Sequence, residues 1–161
     1  MEAFEAIKKR RSVRKFTGAS IPRADLEKIV DAGRLAASGS NRQPWDFIVV
    51  TDPAMIDKLI VVGKWMKPAA AIIAVVLDPY SHWWLEDGSA AIENMLIAST
   101  ALGYGSCWVE GDSIPYEDLV KTLLEIPQGK RMLALIPVGV PESWPTVEKR
   151  SLAEVLHWEK Y

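Results

Sequence analysis

The sequence is poor in the side chains that build disulfides and metal centres. Its 161 residues include one cysteine, Cys107, and two histidines, His82 and His157. A single cysteine excludes a disulfide within the chain, and a reducing cytoplasm is therefore the expected location. The two histidines stand far apart and have no cysteine near them, so the sequence predicts no metal site.

Long hydrophobic runs and an excess of one charge are also absent. The longest apolar run, 69–77, has nine residues, whereas a membrane-spanning helix needs about 20. The 19 basic and 21 acidic side chains give a formal net charge of −2, which argues against a general binder of nucleic acid. Neither G-x-G-x-x-G nor G-x-x-x-x-G-K-[ST] occurs, so any bound phosphate would be held by side chains.

The remaining composition is typical of a single globular domain over residues 1–161. Apolar residues make up 49% of the chain and charged residues 25%, which is ordinary for a protein with a packed core. Short apolar runs near 46–50, 71–77, 106–109 and 132–138 predict strands. Segments with helical spacing lie between them, the longest over 86–102. This alternation indicates a layered domain of helices and strands.

The first chemically informative stretch is a basic segment, residues 8–15, in which six of the eight side chains are cations. Arginine stands at three of these positions, and the guanidinium group suits bidentate contact with phosphate. Ser12 adds a short hydrogen-bond donor, and Phe16 follows as an apolar anchor. The pattern favours an anion site, but a solvated helix end and a nucleic-acid contact remain open alternatives.

The second informative stretch is a polar turn, residues 38–43, followed by Pro44-Trp45. It supplies two hydroxyls and two carboxamides within six residues. Carboxamides present a donor and an acceptor together, as recognition of the edge of a heterocycle requires. The alternative is an ordinary loop of glycine and serine that leads into a strand.

Together these stretches resemble the N-terminal signature of the FMN-dependent nitroreductase family. The resemblance extends through R-R-S-V-R-K-F, I-P-x-x-x-L, S-x-x-N-R-Q-P-W-x-F-I-V-V, A-L-G-Y-G-S-C-W-V-E-G and a basic pair before Leu152. It implies an α+β fold with a mixed central sheet flanked by helices. It also implies an intertwined homodimer that binds two FMN molecules at its interface.

The resemblance further implies a role for each matching residue. Arg10, Arg11 and Ser12 would hold the phosphate end of FMN, with Arg14 near the pyrimidine edge. The other implied contacts are Asn41 and Gln43 on the ring or ribityl chain; Ser38, Gly39 and Ser40 on the FMN of the other subunit; backbone amides of Glu110 and Gly111 at flavin N5 and O4; Lys149 and Arg150 at the phosphate; and Lys64 as a further cation.

The function implied is transfer of hydride from NAD(P)H to FMN, and then of electrons to a nitroaromatic, a quinone or a similar small acceptor. No protein nucleophile, general base or metal is needed, because the cofactor performs the chemistry. Two alternatives are a specialised flavin enzyme, either reductive dehalogenase-like or flavin-fragmenting, and a non-catalytic FMN-binding or electron-transfer module. The run His82-Trp83-Trp84 either covers the flavin or packs in a core or dimer interface.

Overall fold

A computed structural model describes residues 1–109 and 116–161 of the chain. The α-helices of this described part are α1 (Ala3–Lys9), α2 (Arg23–Arg34), α3 (Pro53–Leu59), α4 (Trp84–Ala101) and α5 (Glu117–Leu123). The strands are β1 (Trp45–Val50), β2 (Ala71–Leu77), β3 (Gly105–Ser106) and β4 (Arg131–Gly139). Three short 3-10 turns lie at Gly39–Asn41, Lys64–Met66 and Leu152–Glu154.

The strands form one sheet in the order β1-β2-β4-β3, and each neighbouring pair is antiparallel. β2 lies inside the sheet, and all seven of its residues are buried. Burial on both faces explains why its sequence is a continuous apolar run without alternation. β1 lies at an edge of this sheet.

Two apolar clusters on opposite sheet faces give the domain three layers. Ile73, Val75 and Leu77 of β2 pack with residues of α2 and α4. Ile72 and Ala74, which alternate with them, pack with residues of α3 and α5. Since successive strand side chains point to opposite faces, the sheet lies between these two helical layers. α1 contacts α4 and so belongs to the first layer.

The α+β fold class predicted from the sequence is confirmed. The predicted helices and strands are observed with shifts at their ends, the largest at the strand predicted near 106–109, which is observed as Gly105–Ser106. The sheet predicted as mixed is antiparallel in all its strand pairings, and a parallel bridge joins Ser12 to Ser106 beside it. The C-terminal segment forms a 3-10 turn over Leu152–Glu154, which begins after Ser151. No helix in the described ranges is long and apolar enough to cross a membrane.

Candidate functional site

The basic segment is fixed along the β3–β4 end of the sheet by two buried apolar side chains. Val13 and Phe16 are almost fully buried and pack with Ala69 in a small cluster. The N–H of Val13 donates to the carbonyl of Ser106 at 2.9 Å. Gly105 lies so close to Val13 that an added Cβ would approach its side chain to 2.8 Å. The apolar positions point inward, so the cations between them are presented outward.

A cavity of about 530 Å³ opens beside this segment. We call it the basic pocket, and its described lining consists of Arg10, Arg11, Ser12, Val13, Arg14, Lys15, Ser143, Pro145, Val147 and Lys149. Five of these side chains are cationic and none is a carboxylate. The fold therefore brings Lys149 to four of the cations predicted from the basic segment, although they are far apart in sequence.

Arg11 builds the wall of the basic pocket. Its Nε donates to the carbonyl of Val147 at 3.1 Å. Its Nη1 donates to the carbonyls of Lys8 at 2.8 Å and Arg10 at 2.7 Å. These bonds tie the end of α1 to the segment that carries Lys149. Arg11 thus fixes the shape of the pocket as well as contributing charge.

Arg10 is oriented by an acidic side chain outside the pocket lining. Its Nε lies 3.0 Å from Oε1 of Glu93 on α4, and its side chain is only 19% exposed. The ion pair occupies one edge of the guanidinium group. A guanidinium group presents five N–H donors in a rigid plane, so this contact leaves others for a bound anion.

Aromatic side chains flank the cations of this region. The guanidinium carbon of Arg14 lies 6.0 Å from the centre of the Trp65 ring. The Nζ of Lys9 lies 4.9 Å from the centre of the Trp144 ring. Such contacts restrain a cation without neutralising it. The region therefore stays electropositive.

Cys107 is buried in the same region. Burial raises the pKa of its thiol, while Arg14, a hydrogen bond with Ser12 and Arg10 act in the opposite direction. Because burial dominates, the thiol stays protonated at neutral pH and is not an activated nucleophile.

The polar turn has an unusual backbone. Ser40, Asn41 and Gln43 have φ values of 52°, 55° and 50°, in the left-handed region that residues with a side chain adopt at a cost. Ser38 stabilises this shape, since its Oγ accepts a hydrogen bond from the N–H of Gln43 at 3.0 Å. The polar residues predicted as ligand contacts are therefore held in a tight, strained turn.

The N-terminal part of α4 holds the polar turn from outside. The N–H of Gly39 donates to Oδ1 of Asp87 at 2.8 Å. The ring of Trp83 lies so close to Gly39 that no side chain would fit there. Trp83 is 44% exposed, whereas Trp84 packs on the core and its ring faces Arg131. The two tryptophans predicted to cover a flavin or to pack therefore have different positions. Trp83 lies against the polar turn, and Trp84 packs against the core.

The described structure does not combine the turn and the basic pocket in one cavity. No residue of 38–43 lines the basic pocket, and Gln43 lies in a groove between α2 and β1 instead. Lys64 is exposed beside Trp65, and Arg150 is exposed next to Lys149; neither lines the basic pocket. The predicted backbone contacts of Glu110 and Gly111 lie outside the described residues.

Several contributors to the site were missed from the sequence. Val147 and Ser143 line the basic pocket, yet they follow β4 in a segment without a local motif. Glu93 and Asp87 are acidic residues on α4, six positions apart. The sequence signal available for Asp87 was an acidic residue at the start of a helix otherwise rich in small and apolar residues.

Comparison with known proteins identifies the family of this chain. The family model described as the nitroreductase family matches residues 7–71 and 62–140. The chain belongs to the nitroreductase family. The family predicted from the sequence is thereby confirmed, together with its enzyme class, the oxidoreductases.

Among its nitroreductase-family relatives is an Archaeoglobus fulgidus protein named "Putative NADH dehydrogenase/NAD(P)H nitroreductase", 35% identical over 99% of both chains. A solved "FMN-dependent Nitroreductase" from Clostridium difficile superposes with a TM-score of 0.89 at 26% identity, covering 98% of this chain and 99% of that one. Iodotyrosine deiodinase 1 of Mus musculus is 24% identical over 96% of this chain and 68% of its own length.

Proposed function

We propose that this nitroreductase-family protein binds FMN with its phosphate in the basic pocket and acts as an NAD(P)H-dependent oxidoreductase. The observation that carries the proposal is the lining of that pocket, with five cations, two serine hydroxyls and no carboxylate among its described residues. Its volume of about 530 Å³ falls within the usual range for small-molecule sites. The donor set suits a doubly charged phosphate, which side chains would hold in the absence of a glycine-rich loop.

Each binding residue then has a specific task. Arg10 and Lys149 supply charge-assisted hydrogen bonds to the phosphate, Ser12 supplies a hydroxyl, and Arg14 lies near the pyrimidine edge of the flavin. Arg11 keeps the wall in place through its bonds to three carbonyls. Loss of one such charged contact typically costs about 1.5–3 kcal/mol.

The polar turn is proposed to contact the ring and ribityl chain. Asn41 and Gln43 provide carboxamides for those groups, and Ser38, Gly39 and Ser40 reach the flavin bound by a second copy. When bound, FMN supplies the redox chemistry, accepting hydride from NADH or NADPH and passing electrons to a nitroaromatic, a quinone or a similar acceptor. The chain's own residues bind and orient; no protein nucleophile or base is required.

A homodimer is part of this proposal, because apolar side chains that no other part of the described chain covers remain at the surface. Phe4 on α1 is 78% exposed, and Leu152 and Trp158 near the C-terminus are 70% and 77% exposed. Large apolar groups concentrated in such segments mark interaction surfaces. A second copy would cover them and place its polar turn beside the basic pocket.

The test is the visible absorption of the purified protein after incubation with FMN, followed by anaerobic mixing with NADH or NADPH. We expect a bound flavin band at roughly 450 nm that bleaches on mixing and returns when a quinone or nitroaromatic is added. A protein that retains no flavin after desalting would refute the binding site. Bound flavin that does not bleach would favour the non-catalytic module.

The deiodinase relatives give a reason to test one specialised activity. Iodotyrosine deiodinases align along nearly the whole chain, and the sequence had left reductive dehalogenation open. Incubation of the reduced protein with a halogenated phenol, with halide release as the readout, distinguishes a reductive dehalogenase from a general reductase. Fast turnover of quinones without halide release would exclude it.

A further inference from the structure

We propose that Asp87 is a positioning residue that holds the polar turn in the shape required for the flavin ring and ribityl chain. This inference rests on the proposed FMN site. Asp87 lies outside the basic pocket, and it is not among the residues predicted to contact FMN.

The contact between Asp87 and the turn is buried and direct. Asp87 is only 4% exposed, and its Oδ1 accepts the N–H of Gly39 at 2.8 Å. A carboxylate that accepts a backbone N–H makes a stronger bond than a neutral acceptor. Its other oxygen, Oδ2, has no hydrogen-bond partner among the described residues. A buried acidic side chain is costly for a fold, so its presence here calls for a function.

The turn needs such an external restraint. Three of its residues, Ser40, Asn41 and Gln43, have left-handed backbones, which persist only where surrounding contacts hold them. The bond from Gln43 N–H to Ser38 Oγ lies within the turn. The bond from Gly39 N–H to Asp87, by contrast, fastens the turn to the body of the domain.

The same helix contacts both of the chain's proposed flavin-binding elements. Asp87 and Glu93 are six residues apart on α4, which corresponds to about 9 Å along a helix axis. Glu93 contacts Arg10 of the basic pocket at 3.0 Å, whereas Asp87 contacts the turn. α4 therefore contacts the basic pocket through Glu93 and the polar turn through Asp87.

The experiment compares binding of FMN and riboflavin, which lacks the phosphate, to wild type, Asp87→Ala and Asp87→Asn by flavin fluorescence. Glu86→Gln is the matched control, because Glu86 is an exposed acidic residue of the same helical turn. Melting of the flavin-free proteins, followed by circular dichroism, reports whether each variant folds. Asp87→Leu, which has a similar branched shape but no acceptor, replaces the alanine variant if that one is unfolded.

We expect Asp87→Ala to raise the Kd for both flavins by about tenfold, because the polar turn loses its hydrogen bond to α4. The ratio of the two Kd values should stay as in wild type, because the phosphate pocket is untouched. Asp87→Asn should restore most of the affinity, since its amide oxygen can accept the same N–H. Glu86→Gln should bind as wild type does.

Different outcomes overturn different statements. Wild-type affinity in Asp87→Ala or Asp87→Leu would refute the positioning role, as would an asparagine variant no better than alanine. A selective loss of FMN over riboflavin would show that the substitution acts on the phosphate pocket and would also refute it. If wild type itself binds neither flavin, the proposed function fails instead.

Discussion

The cations of the basic segment face different partners, and this division determines what each substitution tests. Arg11 bonds to carbonyls, Arg10 pairs with Glu93, and Arg14 stands over Trp65. Removing Arg10 or Arg11 would therefore disturb neighbouring structure as well as a bound phosphate. Lys149 lines the same pocket from a distant segment and offers a cleaner measurement.

We predict that Lys149→Ala weakens FMN binding by about tenfold, as expected for loss of one charged contact, and leaves riboflavin binding unchanged. Arg150→Ala is the matched control, because Arg150 is the next residue and lies outside the lining of the basic pocket. Isothermal titration of both variants gives the two affinities. An equal loss in both would mean that both cations close on the phosphate, as the family resemblance implied.

At the scale of the element, the start of α5 is fastened to β4 through Glu117. Its Oε1 accepts hydrogen bonds from the backbone N–H of Met132 and from Arg131 Nε, both at 2.9 Å. Burial, the largest single influence, raises the pKa of Glu117. The hydrogen bonds from Arg131 and Met132 together outweigh it, so the pKa lies below its ordinary value of 4.5.

This lowered pKa gives the stability a defined pH dependence. Because Glu117 is more acidic in the folded chain, its ionised form stabilises the fold above pH 4.5, and this contribution disappears as the pH falls through the folded value. Glu117→Gln should lower the free energy of unfolding at pH 7 by about 1–2 kcal/mol. The difference from wild type should close in acid.

Urea unfolding across a pH series measures the effect of Glu117→Gln. Glu125→Gln is a suitable control, because Glu125 is an exposed residue just after α5. A difference between Glu117→Gln and wild type that stays constant down to acid pH would contradict the proposed ionic origin.

At the scale of the whole molecule, the exposed apolar side chains predict a dimer. Phe4→Glu should shift the protein towards monomer, because a carboxylate would be buried in the interface at a cost of several kcal/mol. FMN content should fall in parallel, since the polar turn of the second copy would be lost from the site. Analytical ultracentrifugation with absorbance detection at the flavin band measures the oligomeric state and the FMN content together.

Val61→Glu is the control for that experiment. Val61 is 46% exposed and follows α3, whose core residues pack on the opposite sheet face from α1. The Val61→Glu substitution should leave the molecular mass in solution and the flavin content unchanged. A monomeric wild-type protein that still holds FMN would contradict the shared site.

Local sequence features were enough to predict the fold class, the helices and strands and two candidate ligand-binding stretches. These are local properties: apolar periodicity, clustered cations and a turn rich in small polar residues all lie within short windows. The family motifs then placed the stretches in order along nearly the whole chain, and the family model confirmed that recognition.

The three-dimensional structure was needed to show which other residues, distant in sequence, lie together. The structure joined Val147 to the basic segment, paired Arg10 with Glu93 and linked Gly39 to Asp87 by a hydrogen bond. It also separated Lys149, which lines the basic pocket, from Arg150, which does not. Contacts of this kind depend on how helices and strands pack against one another, and no short window of sequence contains that information.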